Sequence, residues 1–383
     1  MRRGLFLYFF SEFFLSFGIG MVQYAQPFFY SSAHVSDRTI GYLFAINAFF
    51  GGCSALLMGP LADRVGASHI FKWATLTIGL GSLCTSLVTS VPVWTVTAAL
   101  SGVGGSMLTS TENVVLSSLV TGRERSHLIS RFTALYMVFI GVGVIFAGWF
   151  VHAYGLRETM VVGSAVSLVA PIFRFFVKAP DSRRTRVMQV PSKPLVFMAG
   201  YAILFGIAGG LFNPFATLIL EQRYHASSAT TSLVYAVSLF MVSLGSYLVR
   251  PMIERMRQQA TLFLSFVLSA CSTILFIVAM TCAAFVAIYF VVTITTAVPP
   301  PIIDAMFLDF VHTSEFSQMF GMRVFGTRVG NAVGSSLGGS LLHGNHYNWL
   351  MVVSSGFFLI AYGYLLLVRR PLMRRLSERS PVK

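Results

Sequence analysis

Twelve long apolar runs constrain the fold of this chain more than any other feature. A helix that crosses a bilayer needs about 20 apolar residues, and runs of that length, bounded by charges, prolines or polar clusters, occupy most of the 383 residues. Only helices and closed barrels satisfy every backbone polar group in lipid. The pattern therefore predicts an all-α integral membrane protein with twelve transmembrane helices, at about 5–29, 39–60, 70–90, 93–120, 130–151, 157–177, 195–220, 230–249, 260–281, 284–310, 320–342 and 349–368.

The charge distribution agrees with this prediction. Only 10% of the residues are charged, against about 25% in soluble proteins, and the net charge is +14. With both termini in the cytoplasm, 22 Lys and Arg residues lie at cytoplasmic helix ends and loops, and three lie on the other side. This is the positive-inside pattern, whereas nucleic-acid binding needs basic residues clustered on a soluble face. We expect a multi-pass protein of the cytoplasmic (inner) membrane, with both termini inside, the lipid bilayer as its surroundings and no nucleic-acid partner.

A short motif recurs at an offset of 191 residues, half the chain length. Residues 59–66 read Gly-Pro-Leu-Ala-Asp-Arg-Val-Gly and residues 250–255 read Arg-Pro-Met-Ile-Glu-Arg, so a proline, an acid and an arginine coincide. Parallel repeats of this kind build secondary transporters, with a site between the halves near the bilayer midplane. We predict an N-terminal six-helix bundle over 1–177, a basic cytoplasmic linker over 178–194, a C-terminal six-helix bundle over 195–368 and a basic cytoplasmic tail over 369–383.

The first of these segments resembles the loop signature of the major facilitator superfamily, and the resemblance extends over the whole chain. The family pattern is glycine, three residues, acid, base, one residue, glycine, and it is met by residues 59–66, although the usual closing basic pair is absent. The resemblance implies that this segment holds the cytoplasmic side closed. The predicted cytoplasmic gate comprises Gly59, Asp63, Arg64, Gly66, Glu254 and Arg255, with Arg131 and Arg323 close to the same face.

Two other family patterns are incomplete. Ala98 occupies the arginine position of the fourth-helix pattern, and the fifth-helix antiporter pattern lacks its proline before Gly148. Both departures argue against a simple drug:proton antiporter.

Ionisable residues inside spans are costly, which marks them as functional candidates. Glu12, Glu112 and Asp304 lie in the first, fourth and tenth spans, and in the family these helices line the central cavity. A carboxylate that gains and loses an arginine partner between two states would take up and release a proton, so these three residues are the proton-coupling candidates. Asp304 follows three prolines at 299–301, which predict a broken tenth helix, and Asn213-Pro214 predicts a kink in the seventh.

A buried arginine stays charged and must pair with a carboxylate or with an anionic substrate group. Arg328 lies about 8–10 residues into the eleventh span, and we expect it to pair with Asp304, Glu12 or Glu112, or to contact the substrate directly. Polar residues on the same or neighbouring cavity helices complete the predicted substrate or ion-pair set, namely Asn331, Gln23, Gln26 and Asn113.

These features predict a secondary active transporter that moves a small organic solute by alternating access, driven by a proton gradient. We expect a monomer with no cofactor, no metal site and no enzyme activity. The preferred direction is efflux. The alternative is a proton-coupled uptake symporter for a small anionic or zwitterionic solute, and the alternatives from another class are a non-transporting membrane receptor and a membrane-embedded enzyme.

Overall fold

The computed structural model describes residues 2–119, 124–177, 191–311 and 315–379, and these residues contain helices and no strand. Short 3-10 turns lie at Asn213–Phe215 and Phe276–Val278. The helices are α1 (Arg2–Ser32), α2 (Asp37–Val65), α3 (Ala67–Leu87), α4 (Val91–Ser118), α5 (Glu124–Tyr154), α6 (Leu156–Ser167), α7 (Val169–Arg174), α8 (Lys193–Phe212), α9 (Ala216–Tyr224), α10 (Ser228–Leu275), α11 (Cys282–Ala297), α12 (Pro299–Leu308), α13 (Phe316–His343) and α14 (Tyr347–Arg379).

The helices agree with the predicted twelve spans. Ten helical stretches among the described residues are long and apolar enough to cross a membrane. One of them, Ser228–Val278, has 51 residues and is interrupted by a kink at Arg257, whose φ and ψ are not helical, so it accounts for two spans. The remaining span is α13, whose 28 residues include two arginines and many glycines and serines that lower its hydropathy.

Three spans are interrupted near prolines, two of them where the sequence analysis predicts a break or a kink and one at a further proline. The tenth span is divided at Val298 into α11 and α12, just before the three prolines, although the φ and ψ of Val298 stay helical. A 3-10 turn at Asn213–Phe215 interrupts the seventh span, as Asn213-Pro214 predicts. The sixth span divides at Leu168, three residues before Pro171, into α6 and α7. Each break follows from the missing N–H of proline and the clash of its ring with the preceding turn.

Contacts group the described residues into two compact units. Unit 1 comprises the described residues within Met1–Met188 and Thr217–Val237, and unit 2 comprises those within Gln189–Ala216 and Ser238–Lys383. Within unit 1, the Tyr24 hydroxyl donates a hydrogen bond of 2.6 Å to the Ser228 carbonyl. The predicted linker lies mostly outside the described residues, so the division at 178–194 stays a prediction.

Glycines allow the helices of each unit to approach backbone to backbone. In unit 1, a Cβ atom at Gly20 would overlap the Ile140 carbonyl, so α1 and α5 can meet closely only because glycine stands there. In unit 2, a Cβ atom at Gly330 would overlap the Ile203 carbonyl where α13 meets α8. Small residues at such crossings are the usual means of helix association in membranes.

The internal repeat is visible in the backbone as well as in the sequence. Left-handed φ angles occur in matched pairs, 190 or 191 residues apart: His34 (58°) with His225 (52°), Gly66 (106°) with Arg257 (64°), and Gly155 (101°) with Asn345 (58°). After each histidine, a serine hydroxyl caps the next helix by accepting the N–H of a threonine three residues on, at 3.3 Å in one half and 3.2 Å in the other. The two halves therefore share turn geometry even where their side chains differ.

Candidate functional site

A buried ion pair joins the first and sixth spans of unit 1. Glu12 lies on α1 with 2% of its surface exposed, and Arg174 ends α7 with none exposed. The Arg174 Nη2 donates to the Glu12 Oε2, and its Nε donates to the Ser11 hydroxyl at 3.3 Å. The Ser16 hydroxyl donates to the other carboxylate oxygen of Glu12. Both oxygens of Glu12 are thus occupied inside the protein.

Aromatic rings enclose the Arg174 guanidinium. Its central carbon lies 4.2 Å from the centre of the Phe71 ring and 5.7 Å from that of Tyr8, and these two rings stack on each other at 5.3 Å. A guanidinium held against aromatic faces gains cation–π stabilisation of about 2 kcal/mol when it is desolvated. The Nη1 atom of Arg174 is buried and has no hydrogen-bond partner among the described residues.

A second carboxylate lies beside this pair. Glu112 is on α4 and partly exposed, its backbone carbonyl accepts a 3.2 Å hydrogen bond from the Tyr8 hydroxyl, and the charges of Glu12 and Arg174 both act on its carboxylate. Two of the three predicted proton-coupling residues therefore lie close enough to one arginine for its charge to act on both.

The third predicted carboxylate forms its own ion pair in unit 2. The Asp304 Oδ1 on α12 lies 3.1 Å from the Arg323 Nε on α13, at an angle that falls short of a hydrogen bond. The charges of both residues act on the buried hydroxyl of Tyr201 on α8.

This arrangement repeats part of unit 1. Tyr201, Asp304 and Arg323 follow three residues of the first half, Tyr8, Glu112 and Arg131, by 193, 192 and 192 residues. Both halves therefore carry a tyrosine, a carboxylate and an arginine at matching places, and Arg131 is exposed.

The expected pairing of Arg328 with Asp304 is not seen within unit 2, where Asp304 pairs with Arg323 and no described carboxylate lies within 4.0 Å of the Arg328 guanidinium. Glu12 pairs with Arg174, and the expected pairing of Arg328 with Glu12 or Glu112 stays a prediction. Arg328 is partly exposed near the middle of α13. The physical reason is the position of each arginine around the helix. Arg323 lies on the face of α13 that contacts Asp304 on α12, and Arg328, five residues further on, lies about 140° around the helix from it.

A cavity of about 230 Å³ lies within unit 2 at the interruption of the tenth span. Aromatic and aliphatic side chains form most of its wall, and Asn213, Thr273, Thr293, Thr296 and Ser354 supply polar atoms. Asn331, one turn after Arg328, lies near the wall, because a Cβ atom built on the lining residue Gly209 would be 3.8 Å from its side-chain oxygen. Mostly apolar cavities with a few polar groups are typical of small-molecule sites.

The remaining predicted site residues lie apart from these clusters. Gln23 is exposed, and Gln26 donates a 2.8 Å hydrogen bond to the Tyr30 hydroxyl. In the predicted gate, Glu254 forms an ion pair of 2.8 Å with Arg250, and both side chains are largely exposed. Arg64 and Arg255 are also exposed. Gly66 forms the left-handed turn between α2 and α3. Gly59 lies within α2, and the side chains of Asp63 and Asn113 are outside the described parts of the structure.

Arg174 is the functional candidate that the sequence analysis missed. It was counted among the cytoplasmic basic residues, because it lies near the end of a span and shortly before a basic segment. The sequence nevertheless contains a feature that indicates burial of this residue. Arg174 is the single charged residue between Thr159 and Val177, and it has phenylalanine on both sides.

Comparison with known proteins decides the family. The sequence profile described as Major Facilitator Superfamily matches residues 8–199 and 198–382. The chain belongs to the major facilitator superfamily. The resemblance found in the loop signature is thereby confirmed, and so are the all-α fold and the assignment as a multi-pass membrane transporter that binds small molecules.

Relatives within the superfamily differ in what their names say they carry. Multidrug resistance protein 2 of Bacillus subtilis (strain 168) is 25% identical over 389 residues, which cover 94% of this chain and 93% of that protein. The 4-hydroxybenzoate transporter PcaK of Pseudomonas putida is 31% identical over 145 residues, 38% of this chain and 31% of that protein.

A solved superfamily structure supports the same fold. The nucleoside transporter NupG superposes with a TM-score of 0.77 over 96% of this chain and 99% of that chain, at 13% identity. Superfamily proteins are transporters and not enzymes, so the embedded-enzyme alternative is excluded.

Proposed function

We propose that this superfamily member exports a small organic solute across the cytoplasmic membrane in exchange for protons, by alternating access. The observation that carries the proposal is the placement of Glu12, Glu112 and Asp304 in spans, each beside an arginine or a charged neighbour. Charges at such depth are expensive to keep, and a carboxylate whose arginine contact changes between states supplies a site that binds a proton in one state and releases it in the other.

The direction of transport is proposed from similarity over the full length. Multidrug resistance protein 2 covers nearly the whole chain, and the unit 2 cavity is lined mostly by apolar side chains, which suits an amphipathic solute. The protein acts as a monomer with both termini in the cytoplasm, its bundles at 1–177 and 195–368 are joined by the linker at 178–194, and the proton gradient is its sole driving force.

A second candidate function is proton-coupled uptake of a small anion. The observation that favours it is Arg328, a charged residue in mid-span for which the described residues of unit 2 provide no carboxylate partner. An unpaired guanidinium suits a carboxylate group of a solute, and the relative named 4-hydroxybenzoate transporter is similar over 145 residues.

Everted membrane vesicles test export and uptake against each other. Everted vesicles are acidified inside by respiration and contain a pH-sensitive acridine dye. The solute added is either ethidium, an amphipathic cation, or 4-hydroxybenzoate, an aromatic anion. Export in exchange for protons predicts that ethidium enters the vesicles while protons leave them, so dye fluorescence recovers. Uptake symport instead predicts accumulation of 4-hydroxybenzoate in right-side-out vesicles with an acidic exterior. If neither probe moves protons beyond the level of vesicles without the protein, coupling to protons is wrong for both solute classes.

A further inference from the structure

The cavity of unit 2 has polar atoms in its wall but no charge. Its volume is about 230 Å³, and none of the described residues that line it is ionisable. A charged solute would lose its hydration on entering such a cavity without gaining a partner of opposite charge. The cavity therefore favours a neutral ligand.

The hydroxyl groups in the wall of the cavity already act as donors. Those of Thr293 and Thr296 each donate at 2.7 Å to a carbonyl one turn earlier in α11, and that of Thr273 does the same in α10 at 2.7 Å. The Ser354 hydroxyl on α14 donates to the Ala208 carbonyl on α8 at 2.9 Å. A hydroxyl has one donor and two acceptor lone pairs, so these four groups offer a ligand acceptors and no donor.

The three consecutive prolines of the tenth span add a backbone acceptor to the same wall. In a 3-10, α or π turn, the carbonyl of Thr296 would accept the N–H of residue 299, 300 or 301 respectively. All three residues are prolines and have no N–H. A carbonyl without a donor is costly at membrane depth. A ligand that brings an N–H or O–H group to this part of the wall would therefore be stabilised.

Phenylalanine rings form much of the apolar wall. The rings of Phe205 and Phe358 meet edge to face with 5.8 Å between their centres, and Phe212 also lines the cavity. An apolar cavity of about 150 Å³ binds benzene. The unit 2 cavity, at about 230 Å³, therefore has room for one aromatic ring or two fused rings.

Exposure indicates where a ligand would enter. Asn213 and Val242 are exposed, and the other described residues of the lining are buried or half-buried. Thr273 and Ser354 are each 1% exposed. The entrance is thus assigned to the side of Asn213 and Val242, and the hydroxyls of Thr273 and Ser354 lie on the closed side.

We propose that the unit 2 cavity is a binding site for a small neutral aromatic compound that carries an N–H or O–H donor, of the indole or phenol class. The rings of the ligand pack among the three phenylalanines, and its donor faces the hydroxyl oxygens and the Thr296 carbonyl. The site lies within one unit and needs no proton gradient to be filled. The inference therefore goes beyond the proposed proton-coupled export and can fail independently of it.

Equilibrium dialysis of the purified protein in lipid nanodiscs tests the class of ligand. Binding of radiolabelled indole is measured against nanodiscs without protein, with 1-methylindole and indole-3-acetate as competitors. 1-Methylindole keeps the two rings but lacks the N–H, so its affinity is expected to be about 2–10-fold lower, which corresponds to one neutral hydrogen bond. Indole-3-acetate is an anion and is expected not to compete. The inference is overturned if indole shows no saturable binding, or if either competitor binds as tightly as indole.

Substitution at the entrance tests the location of the site. Val242→Phe enlarges a lining side chain that is 40% exposed, and we expect it to lower the affinity for indole about tenfold, because the ligand and the added ring compete for the same closely packed volume. Leu244→Phe is the matched control, since Leu244 lies on the same helix, is 41% exposed and does not line the cavity. Thermal unfolding shows whether both variants are folded.

Wild-type binding of indole by folded Val242→Phe, or an equal loss in Leu244→Phe, overturns the location. The comparison of the three ligands uses wild-type protein alone, so it decides the class of ligand even if Val242→Phe does not fold. Saturable indole binding by a protein that moves no protons with ethidium would refute the proposed export and leave this site in place.

Discussion

Glu12 and Arg174 form an ion pair that connects the first helix of the chain to the last helix of its first half, and neither side chain reaches solvent. The pair is reinforced by Ser11, Ser16 and the faces of Tyr8 and Phe71. It therefore holds α1 against α7 at a fixed register.

Removal of one partner should be costly. Arg174→Met leaves the Glu12 carboxylate buried without its cation, and we expect a loss of about 3–5 kcal/mol in unfolding free energy. The double variant Glu12→Gln, Arg174→Met removes both charges and should recover much of that loss. Thermal unfolding in detergent of the wild type, both single variants and the double variant gives the coupling energy. Additive losses in the double variant would show that the pair contributes nothing.

Arg257 should be under backbone strain. Its φ of 64° and ψ of 153° lie in a region that is essentially restricted to glycine, and the matching position of the first half is Gly66. Arg257→Gly is expected to raise the unfolding free energy by about 1–3 kcal/mol. Arg257→Ala removes the same charge but keeps a Cβ atom, so it should bring no comparable gain. Equal stabilisation by both variants would assign the effect to the charge.

Arg328 should matter for anionic solutes. Arg328→Gln is expected to raise the KM for 4-hydroxybenzoate about 10–100-fold if that anion is carried, since a hydrogen bond to a charged group contributes about 1.5–3 kcal/mol. The transport of ethidium should change little. Arg157→Gln is the control, because Arg157 is exposed on α6 and lies outside the predicted site. Equal losses for both solutes in Arg328→Gln would indicate a structural role instead.

The acids of the two repeated motifs, Asp63 and Glu254, should differ in their importance for transport. Glu254 and Arg250 form an exposed i,i+4 pair, and such pairs contribute about 0.3–0.5 kcal/mol, so Glu254→Gln should leave both stability and transport close to wild type. Asp63 belongs to the more complete signature, and we expect Asp63→Asn to abolish accumulation in vesicles. Unchanged transport by Asp63→Asn would remove it from the predicted gate.

The sequence predicted the features that depend on local chemistry. Spans follow from apolar length, and the interruptions at Val298 and at Asn213–Phe215 follow from proline. The partner of each buried charge depends instead on helix rotation and packing. The sequence therefore did not show that Asp304 pairs with Arg323 and not with Arg328, and Arg174 was assigned to topology although it is fully buried.

The matched left-handed turns allow each half of the chain to be compared with the other, position by position. The segment between the His34 turn and the Gly66 turn contains α2, and its counterpart between the His225 turn and the Arg257 turn contains the first part of α10, with the same spacing. If the segment of one half replaced its counterpart in the other half, it would begin and end at turns that are left-handed in both halves. Such an exchange would change the side chains while keeping the handedness of the turns, and would therefore separate the two effects within one molecule.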